Sequence, residues 1–430
     1  MIGSKRYSSL LLLGLALAKC SAFKSDPLHH FEASNGNYFP PYIQKFFEAA
    51  NKFELEFGSL SEAQSRIRVI QVKALTKNSN NENEANLSWS EDGAFLSYEI
   101  IADDKRTILV KDLTQGFSRT LAVVPNKKHD FLAGFIDKNL VSYNANLSWS
   151  KDSNRFAFMS NGGIGEYNIY VGGVGTPEQP VAKSPTKDGF ANWSPTSDEI
   201  AFVSARSGNG DIYLLDLGDD SLVNLTKTDN IDIFPTWTKD GHAVVFSSGG
   251  ASAHRIMLVQ KKDSRWGEPE TVTQWDHDSL RPVLSPDGKY IAFYASTQGG
   301  LGDKVWNIHV IPYSSRGLTE TQLNNTIVAK DVIVDLNTGP AWTPDSRKIF
   351  FVKRDSKNYN PIQGYDLFSG KPYVLRTNTK MNRDLIISKL GVLSFRAQVG
   401  VWDRVFLALT NQGVQLQTKK HVGKIQYLVN

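Results

Sequence analysis

From residue 87 onward, short apolar and polar runs alternate in a pattern that recurs along the chain. The segments LSWSEDGAFLSY (87–98), LSWSKDSNRFAF (147–158), ANWSPTSDEIAF (191–202), PTWTKDGHAVVF (235–246), PVLSPDGKYIAF (282–293) and PAWTPDSRKIFF (340–351) share one template. Its third place holds Trp89, Trp149, Trp193, Trp237 and Trp342, with Leu284 as the one replacement. Asp92, Asp152, Asp240, Asp287 and Asp345 follow three residues later, Thr196 standing in once. An aromatic closes each copy: Tyr98, Phe158, Phe202, Phe246, Phe293 and Phe351. A seventh, degenerate copy lies within DLIISKLGVLSF (384–395); it is one residue shorter between the Trp position, Ile387, and the closing Phe395, and lacks both Trp and Asp. The spacings of 60, 44, 44, 47, 58 and 45 residues are those of propeller blades rather than of helical solenoids.

Each template predicts a short strand, a tight turn and a second strand. The Asp of the turn can hydrogen-bond its own backbone two residues on, and the Gly that often follows tolerates positive φ. A third strand is expected at runs such as Ile108–Val110, Ile212–Leu214 and Ile308–Val310, and a fourth near Val223–Thr226. Four antiparallel strands repeated radially hide their edges between neighbours, and one unit alone cannot bury both faces. The fold class is therefore all-β, a β-propeller of four-stranded antiparallel blades. Seven blades follow from seven copies, and six remain open if a terminal copy is an appendage. Either the strand Ile67–Leu75 or Val414–Thr418 would supply the last outer strand and close the ring.

Before the repeats, Lys5 and Arg6 precede a short apolar run, Leu10–Ala18, the layout of an export signal. Nine residues cannot span a bilayer, and no later stretch is apolar enough to do so. Cleavage is expected between 18 and 22, and the only cysteine, Cys20, is a lipidation candidate despite Lys19 before it. Residues 1–22 thus read as signal peptide, 23–60 as linker and docking helix, and 61–430 as propeller. The helix rests on Ile43, Phe46, Phe47, Ala50, Phe53 and Phe57, which recur at spacings of three and four. The expected location is outside the inner membrane, periplasmic or associated with the outer membrane.

With 40% hydrophobic and 21% charged residues the chain can bury a core, and a net charge of +4 reads as too weak and dispersed for nucleic acid. One cysteine leaves the mature fold without a disulfide.

Ser285-Pro286-Asp287-Gly288 followed by Ile291-Ala292-Phe293, and Trp193-Ser194-Pro195 followed by Ile200-Ala201-Phe202, closely resemble the TolB-like propeller repeat. The resemblance covers about residues 87–410. It implies the propeller fold and, more weakly, a binding or scaffold role, since such blades also serve lyases and peptidase gates. TolB proteins carry an α/β domain before the propeller, for which the sequence here offers a linker, a helix and one strand.

Catalysis has little support in the residues. There is no Gly-x-Ser-x-Gly elbow for a serine hydrolase and no HExxH or Cys-x-x-Cys spacing for a metal. A metal-dependent polysaccharide lyase or a carbohydrate-binding propeller is the alternative, and it would need histidines such as His254 and His277 to converge on a loop face. The expectation is a monomeric, non-enzymatic protein without cofactor or metal, bound to a protein partner in the envelope.

Strand alternation places all Ser-x-Asp-Gly turns on one face, here termed the turn face. The loops entering each innermost strand lie on the other, the entry face. Loops 229–234, 276–281 and 335–339 are expected to form the partner-binding mouth of the channel, through Asp232, Phe234, His277, Asp278, Arg281 and Asn337.

Overall fold

The computed structural model describes residues 42, 69–75, 82–103, 105–125, 147–160, 166–250, 253–297, 304–355, 357 and 359–410. The signal peptide, Cys20, the linker and docking helix apart from Tyr42, the alternative closing strand at 414–418, and His29, His30, His129 and His421 lie outside the described residues.

Seven sheets follow one another around an axis. Blade 1 holds Asn83–Trp89, Phe95–Ile101, Lys105–Asp112 and Ser118–Pro125, from the axis outward. Blades 2 to 6 repeat that order, with innermost strands at Ser148–Trp149, Asp188–Trp193, Ile231–Trp237, Ser279–Leu284 and Ala341–Trp342. Blade 7 is composite: Lys380–Ile387, Val392–Val399 and Trp402–Thr410 are completed by Val69–Ala74, antiparallel to Trp402–Thr410. The first described strand is thus the outer strand of the last blade, and it closes the ring non-covalently. Seven is the blade count, the degenerate copy included.

The template explains each blade. Ser90, Ser150, Thr238, Ser285 and Thr343 donate their hydroxyls to Asp92, Asp152, Asp240, Asp287 and Asp345, at 2.6 Å in every case. Each carboxylate also accepts the backbone N–H two residues on, from Ala94, Asn154, His242, Lys289 and Arg347. The hydroxyl oxygen in turn accepts the amide that restarts the second strand, as Tyr290 does to Ser285 at 3.0 Å. In blade 3, where Thr196 replaces the Asp, the Ser197 hydroxyl reaches Ser194 instead, at 2.9 Å.

Tryptophan ties blade to blade. The indole N–H of Trp237 donates to the Asn192 carbonyl and that of Trp342 to the Val283 carbonyl, each on the preceding blade. Trp89 donates to the Ser394 hydroxyl of blade 7 at 2.8 Å, across the closure. Between sheets lie apolar layers, such as Trp193, Ile200, Phe202 and Tyr213 against Ala157 and Ile169. The closing aromatics Tyr98, Phe158, Phe202, Phe246, Phe293, Phe351 and Phe395 are all buried in these layers. Truncating one to alanine would cost roughly 3–5 kcal/mol. Among the described residues, blade 5 carries an insertion with the short helix Glu320–Asn324, and its Leu318–Thr319 pairs in parallel with Thr273–Gln274 before the blade. Among the described residues no helix is long and apolar enough to cross a membrane.

Candidate binding site at the channel

The innermost strands share a feature that shapes the channel. Three residues before the Trp position the backbone turns to positive φ: Asn86 at 56°, Phe190 at 53°, Phe234 at 57°, Arg281 at 55°, Gly339 at 75° and Asp384 at 52°. The strand register shifts at the same place in blades 1, 3, 4, 5 and 7. Such a bulge re-aims side chains, and left-handed backbone at a bulky non-glycine residue is uncommon enough to need support from its surroundings. The equivalent residue of blade 2, Asn146, lies outside the described residues.

These residues form a belt across the waist of the channel. Phe190 packs edge-on against Phe234 at 5.0 Å, and the Arg281 guanidinium lies over the Phe234 ring at 5.7 Å. Arg281 Nη2 donates to the Asn337 carbonyl at 2.6 Å, and Asn337 Nδ2 donates to Asn86 Oδ1 at 2.5 Å. The Asn86 amide donates to the Asp384 carboxylate, which pairs with Arg396 Nε at 2.9 Å. Arg396 also binds Asp403 at 3.0 Å.

A cavity lies on each side of this belt. The larger, about 870 Å³, opens on the turn face. Polar and apolar side chains alternate around its lining, with Ser88, Asn192 and Ser388 among the polar groups and Leu147, Val283 and Ile386 among the apolar ones. Arg281, Asn337 and Asn86 form its floor. A volume of that size falls within the range of ligand clefts. The smaller cavity, about 130 Å³, lies toward the entry face among Tyr294, Asp335, Asn337, Arg383, Asp384 and Arg396.

Electrostatics concentrate around the smaller cavity. Desolvation beside the Asp384 carboxylate pushes Asp335 up to about 7, against hydrogen bonds from the Asn337 amide and from the Thr338 amide and hydroxyl. Burial brings Arg281 down to about 10. It opposes the charge of Arg396 as well, but the Asp384, Asp403 and Asp335 carboxylates hold that guanidinium above its usual value.

Of the six residues expected at the mouth, the structure brings three together: Phe234, Arg281 and Asn337 belong to the waist. Phe234 is wholly buried, however, and Asp232 and Asp278 are also inside the fold, a correction to their expected placement as exposed loop residues. The reason is that blade 4's innermost strand begins at Ile231 rather than after residue 234, so Asp232 and Phe234 are strand residues. Asp232 sits five places before its Trp. Glu84, Asp188, Ser279 and Asn382 occupy the matching places in blades 1, 3, 5 and 7, and all are buried. These polar groups tie the strand starts. Glu84 accepts the Val405 amide at 2.7 Å, Asp188 pairs with Arg206 at 2.9 Å and Asp232 accepts the Thr228 hydroxyl at 3.1 Å. Burial pushes both Asp188 and Asp232 up to about 6.

Asp278 accepts the backbone and ring N–H of His254, both at 3.0 Å, and pairs with Lys304. Burial works against its charge, yet those partners hold its carboxyl below the usual range. His277 has its ring 5.1 Å from Trp275 and its Nε2 3.8 Å from Glu320 of the blade 5 insertion. The two histidines that the lyase alternative would draw together have different partners, His254 on Asp278 and His277 beside Trp275 and Glu320. Among the described residues no three potential metal ligands converge.

Fold and channel together define a seven-bladed, non-covalently closed β-propeller with a plugged waist. The model of the TolB beta propeller domain matches residues 141–334, a little under half of the chain, which is similar to TolB-like propellers there. The TolB protein of the Tol-Pal system from Francisella tularensis subsp. tularensis (strain WY96-3418) is 32% identical over 102 residues, 24% of this chain and 22% of that protein. Its counterpart from Desulfotalea psychrophila is 25% identical over 103 residues, 24% of this chain and 23% of that one. The chain thus spans less than a quarter of the length of these curated relatives. The solved oligogalacturonate lyase from Vibrio parahaemolyticus superposes with a TM-score of 0.53 at 13% identity, covering 83% of this chain and 97% of that one. At that identity the likeness is one of fold.

Proposed function

We propose that the protein is a non-enzymatic, exported binding or scaffold protein of the cell envelope, which holds a segment of a protein partner in the cup on its turn face. The carrying observation is the cup itself, about 870 Å³ and lined by mixed polar and apolar side chains, set on a floor of hydrogen-bonded Arg281, Asn337 and Asn86. A rigid, closed ring supplies a preorganised surface, so little ordering cost opposes binding. The Tol-Pal name of the curated relatives points to the same compartment. In this reading the protein acts as a monomer, periplasmic or held at the outer membrane through Cys20. Arg281 and Asn337, expected at the entry-face mouth, take part in this reading from the other side, as floor residues of the turn-face cup, with Phe234 supporting Arg281 from behind.

The test is affinity capture from native envelope extract, with bound proteins and glycans identified together. Asn192→Arg combined with Val283→Arg places two long cations in the cup while leaving the backbone carbonyls that hold Trp237 and Trp342 intact. The double variant should lose the captured protein while melting within a few degrees of the parent. Undiminished capture would contradict the cup as the site, and an oligosaccharide recovered with a divalent metal would favour the polysaccharide lyase alternative.

A further inference from the structure

The net charge of the whole chain conceals a local excess. Residues 353–403, which span most of blades 6 and 7, hold nine Lys or Arg against four Asp and no Glu, whereas the entire chain carries only +4. The fold then sorts these charges by face. Three of the four carboxylates stand toward the entry face, and all three are engaged within the protein. Asp355 accepts the Tyr359 amide at 2.7 Å, Asp384 pairs with Arg396, and Asp403 does so as well. The exposed cations Arg376, Lys380 and Arg383 leave the same face from the start of blade 7, and among the described residues no carboxylate lies within ion-pair distance of them.

Apolar side chains are exposed beside those cations. Tyr359 is 47% exposed and carries the Lys380 ammonium over its ring at 5.0 Å, while Val399 and Val401 are 52% and 75% exposed at the next hairpin. Gln398, adjacent to Val399, is the cross-strand partner of Lys380, so cations and apolar groups share one continuous patch. Arg383 borders the 130 Å³ cavity and links the patch to the channel. Surface apolar groups scattered singly need no explanation, but a cluster rimmed by uncompensated charge marks an interaction site.

We infer that this entry-face patch of blades 6 and 7 docks an acidic peptide segment bearing an aromatic or aliphatic side chain. The carboxylates of the segment meet Arg376, Lys380 and Arg383, and its apolar side chain covers Tyr359, Val399 and Val401. Charge complementarity selects the acidic partner, and the apolar groups among the cations favour a mixed peptide over a purely anionic polymer or a lipid headgroup surface. The inference rests on the protein-binding reading above and adds a second contact surface to it, on the face opposite the cup.

The probe is a fluorescein-labelled peptide of alternating Glu and Asp around a central Trp, titrated by anisotropy against the full chain. Saturable binding is expected, weakened at least tenfold by Lys380→Glu with Arg383→Glu, about threefold by Val401→Ser, and steeply by added salt. Phe368→Ser, at an 81% exposed residue on the turn face, should leave it unchanged. No saturable binding, equal binding of the same peptide with Lys in place of Glu and Asp, or preferential binding of phosphatidylglycerol vesicles would overturn the inference. Envelope capture separates the two readings. Loss through the cup variant but not through Lys380→Glu with Arg383→Glu would overturn the patch alone, and capture insensitive to either would overturn both.

Discussion

Single residues here do unlike work even where the template makes them look alike. Asp287 and Asp345 are turn caps, Asp188 and Asp232 are buried strand ties, and Asp335 is an acid held beside another carboxylate. The last group gives the fold a pH signature. A carboxyl raised in the folded state binds its proton more tightly there than in the unfolded chain, so stability is greatest below the unfolded value near 4 and falls as pH rises through the folded value. Asp188 and Asp232, near 6, and Asp335, near 7, should therefore lower the melting temperature between about pH 4 and 8. Asp335→Asn keeps an oxygen for the Asn337 and Thr338 amides while removing the charge. Calorimetry should find the decline from pH 5 to 8 smaller in this variant by roughly a few degrees. A parallel decline in parent and variant would contradict the raised carboxyl.

At the scale of the element, the hairpin between the first two strands was the most legible part of the sequence, because its chemistry is local. Ser/Thr, Asp and the following amides all lie within six residues, and spacing alone fixes which groups can meet. The Asp287→Ala and Asp345→Ala changes should each cost on the order of 1 kcal/mol, as loss of one charge-assisted cap does. Asp276→Ala, at a carboxylate that is 99% exposed, should change stability by less than about 0.5 kcal/mol. Equal effects in chemical denaturation would show that the caps contribute nothing. The strand starts were harder to read. Sequence periodicity suggested that Asp232 and Phe234 lay in a loop, but the bulge at Phe234 lets the strand begin earlier and turns both side chains inward. A bulge depends on left-handed backbone that Phe and Arg rarely adopt, so composition gives no warning of it. Its one trace is position, since Asn86, Gly339 and Asp384, types that tolerate such φ, stand three places before their own Trp positions.

At the scale of the molecule, blade number and ring closure were legible because repetition is a global property of the sequence, and the strand at 69–74 was one of two candidates for closure. The cup and the basic patch were not. Both arise from residues far apart in the chain that the ring brings together, such as Asn86 with Asn337, and a chain-wide charge count averages the patch away. Cup, floor and both faces exist only if seven blades close into one ring, and that is the claim on which everything else depends. It is tested most directly by removing one internal blade, residues 191–234, and following unfolding of the product by calorimetry and circular dichroism beside the full chain. A ring that must close predicts an insoluble product, or one without a cooperative transition, because the Trp237 bond to Asn192 and the apolar layers on both sides are lost together. A soluble protein that unfolds in one sharp transition near the parent's temperature would contradict it.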